Sequence, residues 1–452
     1  MWGVIAEQVP RARPAGRATF SDAMRAWFAG DFEGCLAQCD HVRTPDAEMR
    51  SQVALLRARA LLRMGRPDDA VAVVTSVFVA PGTLDASLTA RMLLGTAYVR
   101  RGEHAAGLRI LAAAYRDSRY AHPTVRSEIA LNIGLARYGM RELDAADRAL
   151  DLVSADSDIV HARALEYRGW VASVRGDYAA ATRQFEATLR RLDDCRHHDR
   201  FLEANVVQAL AILAAERLDR RAFLLAEHRA AQIDWAAGGL APPLFGIMVS
   251  ASMMHEIDGR VAEALRRCRE AEEVATSEGA RVLAMCRRAA ILRGAGERFA
   301  HADLVARARR DLRAVDLARC GADERHLLLA LAIEVAPTGD VAGARALLQQ
   351  YDQLPPPSAM LALTGDVRPI GFRAFAEAVV ADAAGDRAQA HDSYAQAFGI
   401  FHRIGYERRA LLAALRLGEL TGQTYLLDYV DRTLRKLSAR SPLHARARSS
   451  AR

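Results

Sequence analysis

Glycines recur at a fixed spacing along the first part of the chain. Gly65, Gly102, Gly139 and Gly176 follow one another at intervals of 37 residues, and Gly30 precedes the first of them by 35. Such a period is typical of stacked helical hairpins. Because one hairpin of this length cannot bury its own apolar face, each copy must pack against its neighbours. The period therefore predicts a solenoid.

Composition supports helices as the building element. Hydrophobic residues make up 51% of the 452 residues, but aromatic residues only 6%, so alanine and leucine supply most of the apolar surface. This composition is typical of closely packed helices. We expect an all-α protein, and a repeat array of this kind can exceed the usual size of one domain.

The charged residues exclude one class of site. The formal net charge of +7 is mild for this length, and Lys436 is the single lysine in the sequence. A phosphate-binding P-loop needs Gly-Lys followed by Ser or Thr. The sequence contains no such motif, which excludes a nucleotide site of that type.

Small residues recur on both sides of each glycine. The residues seven places earlier are Ala23, Ala58, Gly95, Asn132 and Gly169. Those five places later are Cys35, Ala70, Gly107 and Ala181, with Ala145 one place late in the fourth copy. Small residues on facing helices allow close backbone approach.

The turn within each hairpin is also encoded locally. The recurring glycine suits a left-handed helix end, where a residue without Cβ is favoured. Asp31, Asp177, Asp340 and Asp386 follow their glycines directly, where a carboxylate can cap the next helix. Pro67 is predicted to lie in a first helical turn, where it needs no N–H donor.

The order of small residue, tyrosine as at Tyr98, and Gly-Asp-aromatic as at 176–178 resembles the tetratricopeptide repeat (TPR). The resemblance covers most of residues 20 to 405 and implies a right-handed α-solenoid of TPR-like hairpins. The period of about 37 residues departs from the usual value of about 34.

The repeats suggest a division of the chain. The sequence from Trp235 to Gly246 contains Pro242-Pro243, and that from Gln353 to Gly371 contains Pro355 to Pro357 and Pro369; both are predicted to break helices. The predicted segments are an N-terminal segment 1–18, a TPR-like array 19–235, a degenerate array 236–351, a Pro-rich loop 352–371, final hairpins 372–437 and a basic tail 438–452.

Three short segments near the C-terminus, 397–401, 404–408 and 417–422, are similar to the end of the TPR region in LuxR-type bacterial transcriptional regulators. In that family a DNA-binding helix-turn-helix domain follows. Here Ser438 to Arg452 form a short Arg/Ser tail, for which solvated disorder is the expected state. The resemblance implies a sensory or regulatory array, with DNA contact only through a separate domain or partner.

Arginines also repeat at the hairpin period. Arg63, Arg100 and Arg137 each lie two residues before a recurring glycine, and Arg59 lies one helical turn before Arg63. In a TPR stack this position lines the inner face, and guanidinium groups bind carboxylates or phosphates there. Glu166 and Trp170 are predicted on the same face one repeat later. These six residues are the candidate partner-binding groove; a solvated face, and core packing for Trp170, are the alternatives.

The sequence offers little for catalysis. Residues 193–199 contain three aspartates, a cysteine and two histidines, but neighbouring residues on a helix or turn point apart, whereas metal ligands must converge. We expect no metal, no cofactor and no enzymatic activity; an enzyme built on a helical toroid is the alternative that this cluster leaves open.

The sequence shows no cysteine framework, secretion signal or membrane helix, and this bears on the expected cellular location. The six cysteines lack a paired framework, which favours reduced thiols. Residues 1–18 carry three arginines without an apolar run, and no stretch is long enough for a membrane helix. We expect a cytoplasmic scaffold that binds a peptide or protein, with a chaperone-like assembly factor as the alternative; the sequence leaves its oligomeric state open.

Overall fold

The computed structural model describes residues 19–44, 46–79, 83–195, 197–236, 238–317, 325–354, 367–437 and 442–450. In these ranges the regular elements are 23 α-helices and three short 3-10 turns, with no strand. The predicted all-α class is confirmed. The helices fall into two compact units: unit 1 comprises Met1–Val206 and Gln232–Ala241, and unit 2 comprises Val207–Ala231 and Pro242–Arg452.

Unit 1 is an array of hairpins. Its helices are α1 (Phe20–Ala29), α2 (Phe32–His41), α3 (Ala47–Arg63), α4 (Pro67–Val79), α5 (Leu84–Arg100), α6 (His104–Asp117), α7 (Pro123–Gly139), α8 (Leu143–Leu150), α9 (Asp158–Val174), α10 (Tyr178–Asp193) and the first part of α11 (Arg200–Glu216). The first helices of successive hairpins, from α3 to α9, also pack on one another. They form one continuous inner layer.

Unit 2 repeats this arrangement. It contains the rest of α11, followed by α12 (Arg220–Ala230), α13 (Ala241–Ile257), α14 (Val261–Val274), α15 (Glu278–Gly294), α16 (Arg298–Leu312), α17 (His326–Val335), α18 (Val341–Gln353), α19 (Arg368–Ala383), α20 (Arg387–Arg403), α21 (Glu407–Thr421), α22 (Thr424–Lys436) and α23 (Pro442–Ser450). Here α15, α17 and α19 form the inner layer.

A left-handed residue closes the turn of each described hairpin. Gly30, Gly65, Gly102 and Gly176 all have positive φ, as predicted. The left-handed residues at the corresponding turns of unit 2 are Leu218, Gly259, Gly296, Gly339, Gly385 and Gly422. The 37-residue spacing recurs from Gly259 to Gly296 and from Gly385 to Gly422, so the repeat extends through both units.

The prediction for the fourth hairpin is wrong. Helix α7 runs through Gly139, and the left-handed residue is Arg141, with φ of 62°. Counted from Arg141, the small residue at the helix crossing is Gly134 in place of Asn132, and the next is Ala146 in place of Ala145. A Cβ on Gly134 would lie 2.7 Å from Leu150, so helix packing sets this register.

Local caps agree with the sequence. The carboxylates of Asp31, Asp177, Asp340 and Asp386 each accept a hydrogen bond from a backbone N–H in the first turn of the following helix. Pro67 begins α4. These side chains satisfy N–H groups that a helix leaves without an internal partner.

Three prolines differ from expectation. Pro242 and Pro243 lie in the first turn of α13, and Pro369 lies in the first turn of α19. The first-turn N–H groups have no helical partner, so proline begins these helices and does not break them. Residues 355–366, which form most of the predicted Pro-rich loop, lie outside the described residues, as do 1–18, 438–441 and 451–452. The predicted segment boundaries remain predictions.

The basic tail contains a helix that the sequence did not predict. Residues 442–450 form α23, where Arg446 binds Glu419 and Arg448 binds Asp431. These ion pairs and the buried Ala447 attach α23 to unit 2, and this explains why this part of the tail is ordered. Among the described helices, none combines the length and apolarity required to cross a membrane.

Candidate functional site

The inner layer of unit 1 surrounds two adjoining cavities. The outer cavity, of about 710 Å³, is lined from α1, α3, α5, α7 and α9 and by part of the 195–199 turn. The inner cavity has a volume of about 250 Å³. Four residues line both cavities: Trp27, Arg59, Asn132 and Arg163. Both volumes are therefore parts of one groove.

Three arginines converge on the inner cavity. Arg63, Arg100 and Arg163, here called the arginine trio, lie on α3, α5 and α9. Within the described part of the chain, none of the three forms an ion pair, and the buried Nε of Arg163 has no hydrogen-bond partner. The trio is thus a concentration of positive charge that the surrounding carboxylates do not neutralise by direct contact.

Aromatic rings hold Arg63 in place. Its guanidinium carbon lies 4.6 Å from the ring centroid of Phe201 and 5.7 Å from that of Trp27. Burial, together with the positive charges of Arg163 and Arg100, lowers the pKa of Arg63 to about 9. Cation–π contacts stabilise the charge but leave the N–H donors in the ring plane of the guanidinium open to an anion.

Arg59 has a different role from the trio. It donates to both carboxylate oxygens of Glu128, at 3.1 and 2.6 Å. Burial opposes the charged form, but Glu128 outweighs this effect and raises the pKa of Arg59. Arg59 therefore lines both cavities as an ion-paired residue whose charge is neutralised by Glu128.

Arg137 does not line either cavity of unit 1. It is ion-paired with Glu142, beside the turn that follows α7. Arg63 and Arg100 lie two residues before their left-handed glycines, whereas Arg137 lies four residues before Arg141. Two residues rotate a helical position by about half a turn, so the shifted register directs Arg137 elsewhere.

Glu166 and Trp170 were predicted to lie in the groove, and the structure contradicts this prediction. Glu166 is 6% exposed, and burial raises its pKa to about 7 against the opposing effects of Arg163, Arg63 and hydrogen bonding by Trp170. Trp170 packs edge-on against Phe185, with 5.2 Å between ring centroids. Neither residue is among those lining the two cavities, but Glu166 is electrostatically coupled to two members of the trio.

Sequence reasoning missed Arg163. It lies thirteen residues before Gly176, and the equivalent residues of the three preceding hairpins are Gln52, Thr89 and Glu128 when counted from the left-handed residue. All four line the outer cavity. These four residues are of different types, so no recurring residue marks the position in the sequence, and helix packing brings Arg163 to the cavity.

The outer cavity differs in character from the inner one. The apolar side chains of Phe20, Met24, Trp27 and Phe28 form its α1 wall. Its other lining residues include six carboxylates, Glu48, Asp85, Glu128, Asp156, Asp158 and Asp199, against two arginines. The groove therefore changes from an acidic, partly aromatic outer part to a cationic inner end.

The acidic cluster at 193–199 is held by separate contacts. The ring of His197 stacks on Phe28, His198 lies 2.7 Å from Glu203, and Asp199 accepts a hydrogen bond from the backbone N–H of Leu202. Residue 196 is outside the described residues. Across the described ranges, no group of three or more His, Cys, Asp or Glu side chains could hold a metal ion.

Comparison with solved structures shows which known fold the chain resembles. No protein-family model and no curated protein matches the chain. Among solved structures, a Rap protein complexed with Competence and Sporulation Factor aligns with a TM-score of 0.51 at 10% identity, over 81% of this chain and 99% of that one. The APC/C hetero-tetramer Cut9–Hcn1 aligns over 95% of this chain and 92% of that one, with a TM-score of 0.27 at 11% identity. The fold is that of a TPR-like helical-repeat protein.

Proposed function

We propose that the chain is a binding protein whose unit 1 groove holds a peptide or protein segment carrying a carboxylate. The arginine trio carries this proposal. Three guanidinium groups that form no ion pair with any described residue converge on a cavity of about 250 Å³. A carboxylate accepts two parallel hydrogen bonds from one guanidinium group.

The rest of the groove favours a peptide over a small inorganic anion. The outer cavity is large enough for several side chains and offers an aromatic wall for apolar ones. Its carboxylates repel a second negative charge and favour a cationic group at that end. A segment with an acidic residue or C-terminal carboxylate inside and a basic group outside complements both ends.

Two further observations support a binding role. The Rap protein, with which the chain shares its fold, is complexed with Competence and Sporulation Factor. The segments 397–401, 404–408 and 417–422 resemble the TPR region of LuxR-type regulators. We therefore propose a non-enzymatic regulatory array that acts in the cytoplasm and contacts DNA only through a separate domain or partner.

Peptide selection on the purified full chain tests the proposal. Peptides from a displayed random library are selected on the wild type, and their affinities are measured by fluorescence anisotropy. We expect the selected peptides to carry an acidic side chain or a free C-terminal carboxylate. Because a hydrogen bond to a charged group contributes about 1.5–3 kcal/mol, Arg63→Gln/Arg163→Gln should weaken binding at least about tenfold.

The control is Arg109→Gln, on the exposed side of α6, which should leave affinity unchanged. Replacing the acidic residue of the peptide by its amide should weaken binding to the wild type but have little further effect on the double variant. Peptides that bind the wild type and Arg63→Gln/Arg163→Gln with equal affinity would contradict a role for the trio. Selection of many unrelated apolar peptides would favour a chaperone-like assembly factor instead.

A further inference from the structure

Unit 2 contains a cavity of its own. It has a volume of about 360 Å³ and is lined from α13, α15, α17, α19, α20, α21 and α23. Most of the lining is apolar, including Phe245, Leu283, Leu329, Phe375, Val379 and Leu412. Sites for small organic molecules are typically apolar clefts of about 300–1,000 Å³ with a few polar groups. The cavity fits that description.

A buried group of charges forms one wall. Glu216 accepts hydrogen bonds from Arg408 at 3.0 Å and from Arg409 at 3.2 Å. Arg287 is ion-paired with Glu256 and is close enough to Arg408 to act on its charge. These three arginines and Glu256 line the cavity, and Glu216 lies behind them.

Three guanidinium groups face two carboxylates, so the wall carries one positive charge in excess. Arg408 is 2% exposed. Its Nε and one oxygen of Glu216 are buried, and neither has a hydrogen-bond partner among the described residues. Burial and the neighbouring charges of Arg409 and Arg287 lower the pKa of Arg408 to about 10, although Glu216 opposes them. An uncompensated charge in an apolar setting is costly, and a bound monoanion would remove that cost.

Arg409 is placed to meet such an anion. It is more exposed than Arg408, at 26% of its side chain, and its guanidinium carbon lies 4.9 Å from the ring centroid of Phe372 in the same lining. A second arginine pair, Arg416 and Arg446, shares the single carboxylate of Glu419. Both arginines also line the cavity, so positive charge exceeds negative charge at a second point.

We propose that this cavity is a second binding site, for a small monoanion with an apolar body: a carboxylate on an unbranched hydrocarbon chain. The hydrocarbon chain of the ligand contacts the apolar lining, and its carboxylate is bound by Arg408 and Arg409. The site belongs wholly to unit 2. It shares no residue with the unit 1 groove, so either proposal can fail while the other stands.

Isothermal titration calorimetry of the full chain with decanoate tests this site. We expect one decanoate per chain, with a Kd below about 1 mM for a ligand of this size. Acetate lacks the long hydrocarbon chain, and decanamide lacks the negative charge. Each should bind at least about tenfold more weakly than decanoate. Equal affinity for decanamide and decanoate, or no binding of decanoate, would overturn the proposal.

Two variants locate the site. Arg409→Gln should weaken decanoate binding about tenfold or more, and Ala330→Phe, which fills the cavity from α17, should abolish it. Arg403→Gln, at an exposed position of α20 outside the lining, is the control and should change nothing. Circular dichroism confirms that each variant is folded; decanoate affinity that is unaltered in folded Ala330→Phe would place the ligand elsewhere.

Discussion

At the scale of single residues, the partner of each arginine decides what that arginine can do. Arg59 and Arg137 are held by Glu128 and Glu142, whereas Arg63, in the same helix as Arg59, rests on aromatic rings. An ion-paired guanidinium must lose its carboxylate before it can bind another. Arg63 keeps its donors available, and burial raises the pKa of its neighbour Glu166 to about 7.

The first prediction concerns Glu166. Its pKa of about 7 means that it is largely neutral at pH 6 and charged at pH 8. A charged Glu166 competes with the ligand for Arg163 and Arg63, so affinity for an acidic peptide should fall about threefold to tenfold from pH 6 to pH 8. Fluorescence anisotropy with an N-acetylated peptide that lacks histidine measures the change.

Glu166→Gln provides the control. It should keep the high affinity at both pH values, because the competing charge is absent. Arg63 has a pKa of about 9, and burial raises the pKa of Tyr167 above its ordinary value, so both change protonation above this range. The same fall in affinity in wild type and variant would remove Glu166 from the mechanism.

The second prediction concerns Glu216. Burial favours its neutral form, but Arg408 and Arg409 outweigh this effect and hold its pKa at about 2. Glu216→Gln leaves the buried guanidinium group of Arg408 and the half-buried one of Arg409 without this carboxylate. Loss of one partner of a buried ion pair costs about 3–5 kcal/mol. Urea unfolding at pH 7, followed by circular dichroism, should give a correspondingly lower free energy of unfolding.

The pH dependence of the same variant has a definite sign. A carboxylate with a lowered pKa stabilises the fold fully above its unfolded-state pKa of about 4.3, and this contribution is lost as pH falls towards 2. The wild type should therefore lose stability between about pH 5 and pH 2, and Glu216→Gln should lack that part of the loss. Glu278→Gln, which affects only an exposed pair with Arg281, should cost less than about 1 kcal/mol.

At the scale of elements, the hairpin turn sets which residues face the groove. The turn needs one left-handed residue, and glycine supplies it at Gly30, Gly65, Gly102 and Gly176. In the fourth hairpin Arg141 takes this conformation, and Gly139 remains helical. Because the turn is shifted by two residues, each side chain of α7 points in a different direction from the residue at the same place in the other glycine repeats.

The third prediction tests this register by stability. Gly102→Ala should lower the free energy of unfolding by about 1–2 kcal/mol, because alanine is disfavoured at positive φ. A Cβ at Gly102 meets no described atom within 4 Å, so no steric clash adds to the cost of the backbone conformation. Gly139→Ala should leave stability unchanged or raise it by up to about 1 kcal/mol, because alanine is the better helix former.

Urea unfolding of both variants makes the comparison, with Gly139→Ala as the matched control. The two glycines occupy the same place in the sequence repeat. Equal destabilisation by the two substitutions would mean that Gly139 is left-handed, and the register that excludes Arg137 from the groove would then be wrong.

At the scale of the whole molecule, the excess of positive charge is small for a chain of 452 residues. The net charge is +7, and in α23 Arg446 and Arg448 are engaged by Glu419 and Asp431. Ion-paired arginines contribute little to phosphate binding, because they release fewer counterions from DNA.

The fourth prediction follows from this distribution. The purified chain should not shift a 30-base-pair DNA duplex in an electrophoretic assay at about 150 mM salt and protein below about 10 µM, since non-specific affinities at physiological salt are weak. Arg446→Gln/Arg448→Gln should leave that result unaltered. A stable complex that weakens steeply with salt would contradict the view that DNA contact requires a separate domain or partner.

The amino-acid sequence by itself determined the hairpin repeat, its caps and part of the groove. Helical period, left-handed glycines and capping aspartates depend on residues within a few positions of one another, so their signals are local. The resemblance to the TPR predicted Arg63, Arg100 and Arg59 on the inner face. All three line the inner cavity, and their role in binding a partner stays a prediction.

Only the tertiary structure decided which arginines are neutralised. Arg59 meets Glu128 across 69 residues, and Glu216 meets Arg408 across 192. The register of α7, the recruitment of Arg163 and the excess charge in unit 2 likewise depend on how separate helices pack. Coulomb interactions and close packing act through space, and distance along the chain does not encode them.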